Sequence, residues 1–136
     1  MSEEPQKRST YIGQKDWTPR GEVSHLRFVI SDFVYDEIMD EECALVVNMT
    51  SEYGTSQEDL TCELDVGDHS DITHKSYIVY SMAQRVPKRE ILENVANKKY
   101  ILRGKIEQSV LERIQNGVFK RLEDMPRFTS DYIEYF

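Results

Sequence analysis

The sequence predicts a mainly β (α+β) domain, a small and strongly curved sheet with helices packed outside it. Three observations point there. Short apolar runs, several with period-two alternation, recur between polar loops through most of the chain. Two stretches of helical periodicity follow late in the sequence. The 136 residues suffice for one modest core but not for two.

Taken in order, residues 1 to about 18 are polar, with isolated Tyr11 and Trp17, and read as a loose leader. Glu22 to Ser31 alternates and then turns apolar, as a half-buried strand does. Asp36, Glu37, Asp40, Glu41 and Glu42 crowd a solvated loop. Cys43 to Thr50 is nearly continuous in apolar character, so this strand is expected to be buried on both faces. Ser51 to Asp59 reads as a loop, and Leu60, Cys62 and Leu64 alternate with Thr61, Glu63 and Asp65 in a further strand. Tyr77–Tyr80 and Met82–Val86 read as two short strands. Tyr77 and Tyr80 do not share a face, so at least one belongs to the core. Pro87 suits the first turn of a helix through Ile91, Leu92 and Val95. Lys99 to Gly104 forms a last strand and turn. From Ile106, the positions Val110, Leu111, Ile114, Val118, Phe119 and Leu122 make one helical stripe. Gly117 within it costs about 1 kcal/mol against Ala, so a bend or an end is expected there. The tail from Met125 to Phe136 either caps the domain or serves as a partner-binding segment.

Composition narrows the function. No apolar run approaches the roughly 20 residues needed to span a bilayer. The start, Met1 to Pro5, shows no secretion signal, and Cys43 and Cys62 read as buried free thiols, with a cross-strand bridge or redox role as alternatives. A cytoplasmic protein is expected. Net charge is −8, from 25 acidic and 17 basic side chains, whereas a broad nucleic-acid footprint is usually basic. Any nucleic-acid contact is therefore small and local, or else the partner is a basic protein segment. Glycine-rich phosphate loops, Cys-x-x-Cys pairs and Gly-x-Ser-x-Gly elbows are absent. His69 and His74, with Asp68 just before them and Asp71 between them, read as a turn without the further ligands of a metal site. No metal or cofactor is expected.

The three histidines stand out. His25 opens the first strand, while His69 and His74 share the segment Gly67-Asp68-His69-Ser70-Asp71-Ile72-Thr73-His74-Lys75-Ser76-Tyr77. Asp68 suits such a turn by accepting from a neighbouring amide or histidine. Thr50-Ser51 ends the central strand and would deliver two hydroxyls to the rim of a small barrel, where loop residues can meet them. Arg27 alternates outward from its strand.

The order of these segments resembles the PemK/MazF toxins. Arg20-Gly21-Glu22-Val23 opens a strand and Leu26 to Ser31 follows as an apolar one. Asn48-Met49-Thr50-Ser51 is similar to the family strand that closes on paired hydroxyls. Cys62 to Tyr80 resembles a branch with a Gly-Asp-His turn and a Ser-Tyr strand, and Gly104-Lys105-Ile106 leads into the helix through Ile114. Coverage is residues 20–122. The resemblance implies an SH3-like β-barrel with peripheral helices and a C-terminal helix, flanked by a 1–19 leader and a 123–136 tail. It also implies a homodimer that cleaves single-stranded RNA without a metal ion and is held inactive by a cognate antitoxin protein. Chemistry of that type needs a base, an acid and a donor or cation at the phosphoryl centre. The residues implied for catalysis are His25, Thr50, His69 and His74, with Arg20, Arg27, Ser51, Lys75 and Ser76 on the substrate. The family places Arg-Pro where this chain has Ser24-His25. The arginine's role then passes to His25, Arg20 or Arg27, or it is lost and leaves a non-catalytic module that binds a protein partner.

Overall fold

A computed structural model describes residues 4–13, 16–18, 21–23 and 25–136. The molecule is mainly antiparallel β, a curled, half-barrel sheet with two helices. Strands β1 (Ser9–Ile12), β2 (Asp16–Thr18), β3 (Gly21–Val23), β4 (Leu26–Val29) and β5 (Val34–Asp36) come first. The long β6 (Glu41–Ser51), the two-residue β7 (Glu63–Leu64) and the long β8 (Ser76–Pro87) follow, then α1 (Lys88–Ala96), β9 (Ile101–Lys105) and α2 (Gln108–Arg121). The main sheet runs β7-β8-β6-β4-β1-β9, with β5 beside the start of β6, while β2 and β3 pair as a separate hairpin.

β6 is buried on both faces as its composition predicts. Cys43, Leu45 and Val47 enter the main core, which α2 closes with Val110, Leu111, Ile114 and Val118. Ala44 and Val46 point the other way into a second cluster with Tyr11, Val29 and Val86, closed by Ile91 of α1. Both cysteines are free and buried. Burial pushes the Cys43 thiol up to about 11, so it stays protonated and unreactive near neutral pH.

Three sequence expectations are corrected. First, the segment read as a loose leader contains β1, hydrogen-bonded between β4 and β9. Its pattern is invisible because two of its buried residues are polar. Ser9 Oγ accepts from the Gln6 amide and Thr10 Oγ1 donates to Gly104 O. Second, Tyr77–Val86 is not two strands but one. Val46 pairs with Gln84 and Asn48 with Val79, so Tyr80 through Ala83 bulge opposite Val47 alone and bend β8. Third, of Leu60 to Asp65 only Glu63–Leu64 forms a strand. Leu60 is exposed, and Asp59 instead accepts from the Thr61 amide and hydroxyl as a turn does. The acidic segment is solvated as expected, with Glu37, Asp40 and Glu42 exposed, and it forms the tip of the β5–β6 hairpin. The Asp36 carboxylate accepts from the Ile38 and Met39 amides and from the Tyr132 hydroxyl.

α2 does not end at Gly117 but continues past it to Arg121. The ring of Tyr80 lies against that glycine, where a Cβ would overlap its hydroxyl, and Tyr80 donates to Ile114 O at 2.8 Å. The glycine therefore admits an aromatic ring at the helix surface instead of ending the helix. The tail caps the domain, because Met125 and Tyr132 are buried and Phe128, Ile133 and Phe136 pack on the main core. Among the described residues, no helix is long and apolar enough to cross a membrane.

Candidate functional site

The antiparallel register builds the site. Arg27 of β4 stands opposite Asn48 of β6, which stands opposite Val79 of β8. Two residues further, Thr50 faces Tyr77, and Ser51 faces Ser76. Side chains alternate across a sheet, so Arg27, Asn48, Thr50, Tyr77 and Val79 share one face with Val46 and Gln84. α1 covers the end of this face at Val46 and leaves the rest open. The open part is a groove of about 480 Å³ lined by His25, Arg27, Asn48, Thr50, Tyr77, Val79, Met82 and Gln84. A second cleft of about 370 Å³ adjoins it over the barrel rim and includes His25, Thr50, Ser51, Tyr53, Asp71, Thr73, His74 and Ser76. His25 and Thr50 belong to both.

Hydrogen bonds orient the two cleft histidines. His25 Nδ1 lies 3.1 Å from Met49 O. A carbonyl only accepts, so Nδ1 carries the proton and the neutral ring keeps its lone pair on Nε2. His74 is exposed at the mouth, its Nε2 2.6 Å from Ser51 Oγ and its Nδ1 3.1 Å from Thr73 Oγ1. Both partners are hydroxyls, which donate or accept, so His74 keeps its bonds whichever nitrogen holds the proton. The Ser76 hydroxyl donates to His74 O at 3.1 Å and anchors the loop from beneath. Asp71 forms the wall. Arg103 grips it bidentately at 2.6 and 2.7 Å and holds its carboxyl below the usual carboxylate range.

Among the described residues the chain contains no group of three or more His, Cys, Asp or Glu side chains able to hold a metal ion. The chain matches no protein-family model, no curated protein and no solved structure. The chemistry must be read from the side chains.

Of the residues singled out in the sequence, His25, Thr50, Ser51 and His74 meet in the rim cleft, and Arg27 lies in the adjoining groove. Gly13 makes room for Arg27, since a Cβ there would overlap the guanidinium. His69 does not join them. It is buried, Nδ1 accepts from the Asp71 amide at 2.9 Å, and Nε2 lies 2.8 Å from Thr10 Oγ1 and 2.9 Å from Arg103 O. Both ring nitrogens are committed to tying the loop to β1 and β9, so the expected catalytic role is replaced by a positioning one. Lys75 is exposed and lines neither cavity; its charge acts on Glu52. Ser76 reaches the cleft wall but is buried, with its hydroxyl committed to the loop. Arg20, like Ser24, lies outside the described residues. Asp68 accepts from the Asp65 amide and pairs with Arg113 of α2, which is the turn-holding role that its position suggests.

Sequence reading missed Asn48, Gln84 and Met82 in the groove and Tyr53, Asp71 and Thr73 in the cleft. Asn48 carried a usable signal, two residues before Thr50 on the same strand face. Met82 and Gln84 carried none, because the β8 bulge resets the alternation.

Proposed function

We propose that this chain is a metal-independent endoribonuclease of the PemK/MazF toxin type, acting on single-stranded RNA. The observation that carries the reading is the convergence of His25, Thr50, Ser51 and His74 on one cleft with an arginine beside it. His25 Nε2 takes the proton of a ribose 2′-hydroxyl, and that oxygen attacks the adjacent phosphorus. The bond from phosphorus to the 5′-oxygen breaks, and His74 delivers a proton to the leaving oxygen while Ser51 holds its ring. Products are a 2′,3′-cyclic phosphate and a 5′-hydroxyl. The Thr50 hydroxyl and the Arg27 guanidinium face the charge that builds on the phosphoryl oxygens. Arg27 thus supplies the cation for which the family uses the residue before its proline. The family resemblance extends the proposal to a homodimer in the cytoplasm restrained by an antitoxin protein.

The test is incubation of the purified protein with single-stranded RNA in chelator. Cleavage with cyclic phosphate ends, abolished in His25→Ala, is expected. An inert wild type, or a His25→Ala variant that cuts as well as the wild type, overturns the assignment.

A second reading, a non-catalytic module on the same sheet that binds a basic protein segment, draws on one observation, the net charge of −8. Growth arrest on expression of the chain alone counts against it. A stable protein partner combined with harmless expression counts for it.

A further inference from the structure

The other end of β6 carries a surface that the cleft does not use. Asp36 of β5 pairs with Glu41 at the start of β6, and Ser51 lies at the far end of that strand, roughly 30 Å away along it. The Asp32 amide donates to Tyr135 O at 2.9 Å and ties the tail beside the β5–β6 hairpin. Hairpin and tail enclose a groove of about 340 Å³, with Tyr35, Glu37 and Ile38 from the hairpin and Asp131 and Tyr135 from the tail. All three residues of β5 line it. β5 has β6 on one side and, among the described residues, no strand on the other.

Some carboxylates here are already engaged. Asp36 accepts from the Ile38 and Met39 amides and the Tyr132 hydroxyl and lies 3.6 Å from Arg85. Arg89 neutralises Glu41 just behind the tip. Glu37 and Asp131 differ: both are exposed, and neither carboxylate has an ion pair among the described residues. Ile38, 78% exposed, and Tyr35, 60% exposed, set apolar surface beside these charges. Apolar side chains rimmed by polar ones mark an interaction surface. The sign of the charge then selects the occupant. Nucleic acid and anionic lipid are repelled, and a second copy meeting through this face would set carboxylate against carboxylate. An arginine or lysine side chain suits every part of the groove. Its stem packs on Ile38, its cation lies against a tyrosine ring, and its N–H groups reach the two carboxylates. An extended backbone suits the unpaired side of β5.

We propose that the groove between the β5–β6 hairpin and the tail docks an extended basic segment of a partner protein, its arginine or lysine side chains held between Glu37 and Asp131 with their stems on Ile38. The inference does not rest on the cleft being an RNA site, and its test uses no RNA. The probe is a short fluorescein-labelled peptide of alternating arginine and leucine, titrated by anisotropy with the full chain. The wild type is expected to bind it, and to ignore the same peptide with glutamate in place of arginine. Glu37→Lys and Asp131→Lys are each expected to weaken binding about tenfold, since each turns an exposed attraction into a repulsion. Ile38→Ser is expected to weaken it about fivefold through the lost stem contact. These three side chains are exposed, so the variants keep the fold. Glu112→Lys, the same charge change on the exposed side of α2, is expected to leave binding within about twofold of wild type. Failure of the wild type to bind the arginine peptide overturns the proposal. So does equal weakening by Glu112→Lys and the groove variants, which reduces the binding to net charge. Spermine that binds as tightly as the peptide, with Ile38→Ser without effect on either, makes the groove a polyamine site and overturns it as well.

Discussion

One face of the β4–β6–β8 sheet is divided into two halves that follow the same alternation and end in opposite states. At one end Val29, Ala44, Val46 and Val86 lie under Ile91 of α1 and form a sealed cluster. At the other end Arg27, Asn48, Thr50, Tyr77 and Val79 occupy equivalent positions on the pleat and remain open. The strands are continuous between the halves, so the difference comes from what packs above them. α1 has nine residues and only four more separate it from β9, so the helix reaches only part of the face. A sealed half and an open half are thereby laid out along the same three strands, so each can be altered by substitution without the other.

The sharpest separation is expected from the open half. His25→Ala and His74→Ala should each lower single-stranded RNA cleavage by about 10²–10⁴-fold, the usual contribution of a positioned acid or base. Urea midpoints for these partly exposed side chains should stay within about 0.5 kcal/mol of wild type. A variant that loses both stability and cleavage would show that the two halves are coupled.

Ile91→Ala probes the sealed half. Removing a fully buried isoleucine should cost about 2–5 kcal/mol by chemical denaturation. The fraction that remains folded should still cut RNA at the normal rate. A rate per folded molecule that drops with the stability would place α1 within the site instead of beside it.

His69→Ala comes next. It strands the Asp71 amide and the Arg103 carbonyl, at a cost of about 1–3 kcal/mol in stability. If His69 only positions the loop, the pH dependence of cleavage keeps its shape while the rate falls. A lost limb in the pH–rate profile would return His69 to a direct part in the chemistry.

The smallest effect is electrostatic. At the open end of the sheet, Glu52 shares a hydrogen bond with Glu63, which with partial burial and nearby acidic charge lifts its carboxyl above the usual range; Lys75 opposes this. A carboxyl raised in the folded state retains a proton that the unfolded chain has already released. Stability therefore increases as pH falls from the raised value toward about 4.3, the ordinary glutamate value. Glu52→Gln should flatten that slope and melt slightly higher than wild type near neutral pH, with the gap closing in acid. An unchanged slope of melting temperature against pH in Glu52→Gln would remove the carboxyl pair as its cause.

Legibility from sequence followed how local the cause was. The doubly buried Cys43–Val47 run, the α2 stripe and the paired hydroxyls Thr50-Ser51 could be read because each is a pattern within one segment. β1 could not be read, since Ser9 and Thr10 are buried by partners in distant parts of the chain. His69 and His74 sit five positions apart in one turn and read alike. What separates them is Thr10, 59 residues away, and Arg103, 34 residues away.

By itself, then, the sequence determined a single mainly β domain with two late helices, a central strand with two apolar faces, and a short set of residues able to move protons. Periodicity and side-chain chemistry are properties of neighbours along the chain, so they survive without a fold. Only the tertiary structure decided which histidine meets Ser51 and which is walled in. It also decided that α1 stops short of Asn48, and that a bulge in β8 turns Met82 and Gln84 into the groove. Those outcomes depend on cross-strand register and on how far a helix reaches, which no local pattern encodes.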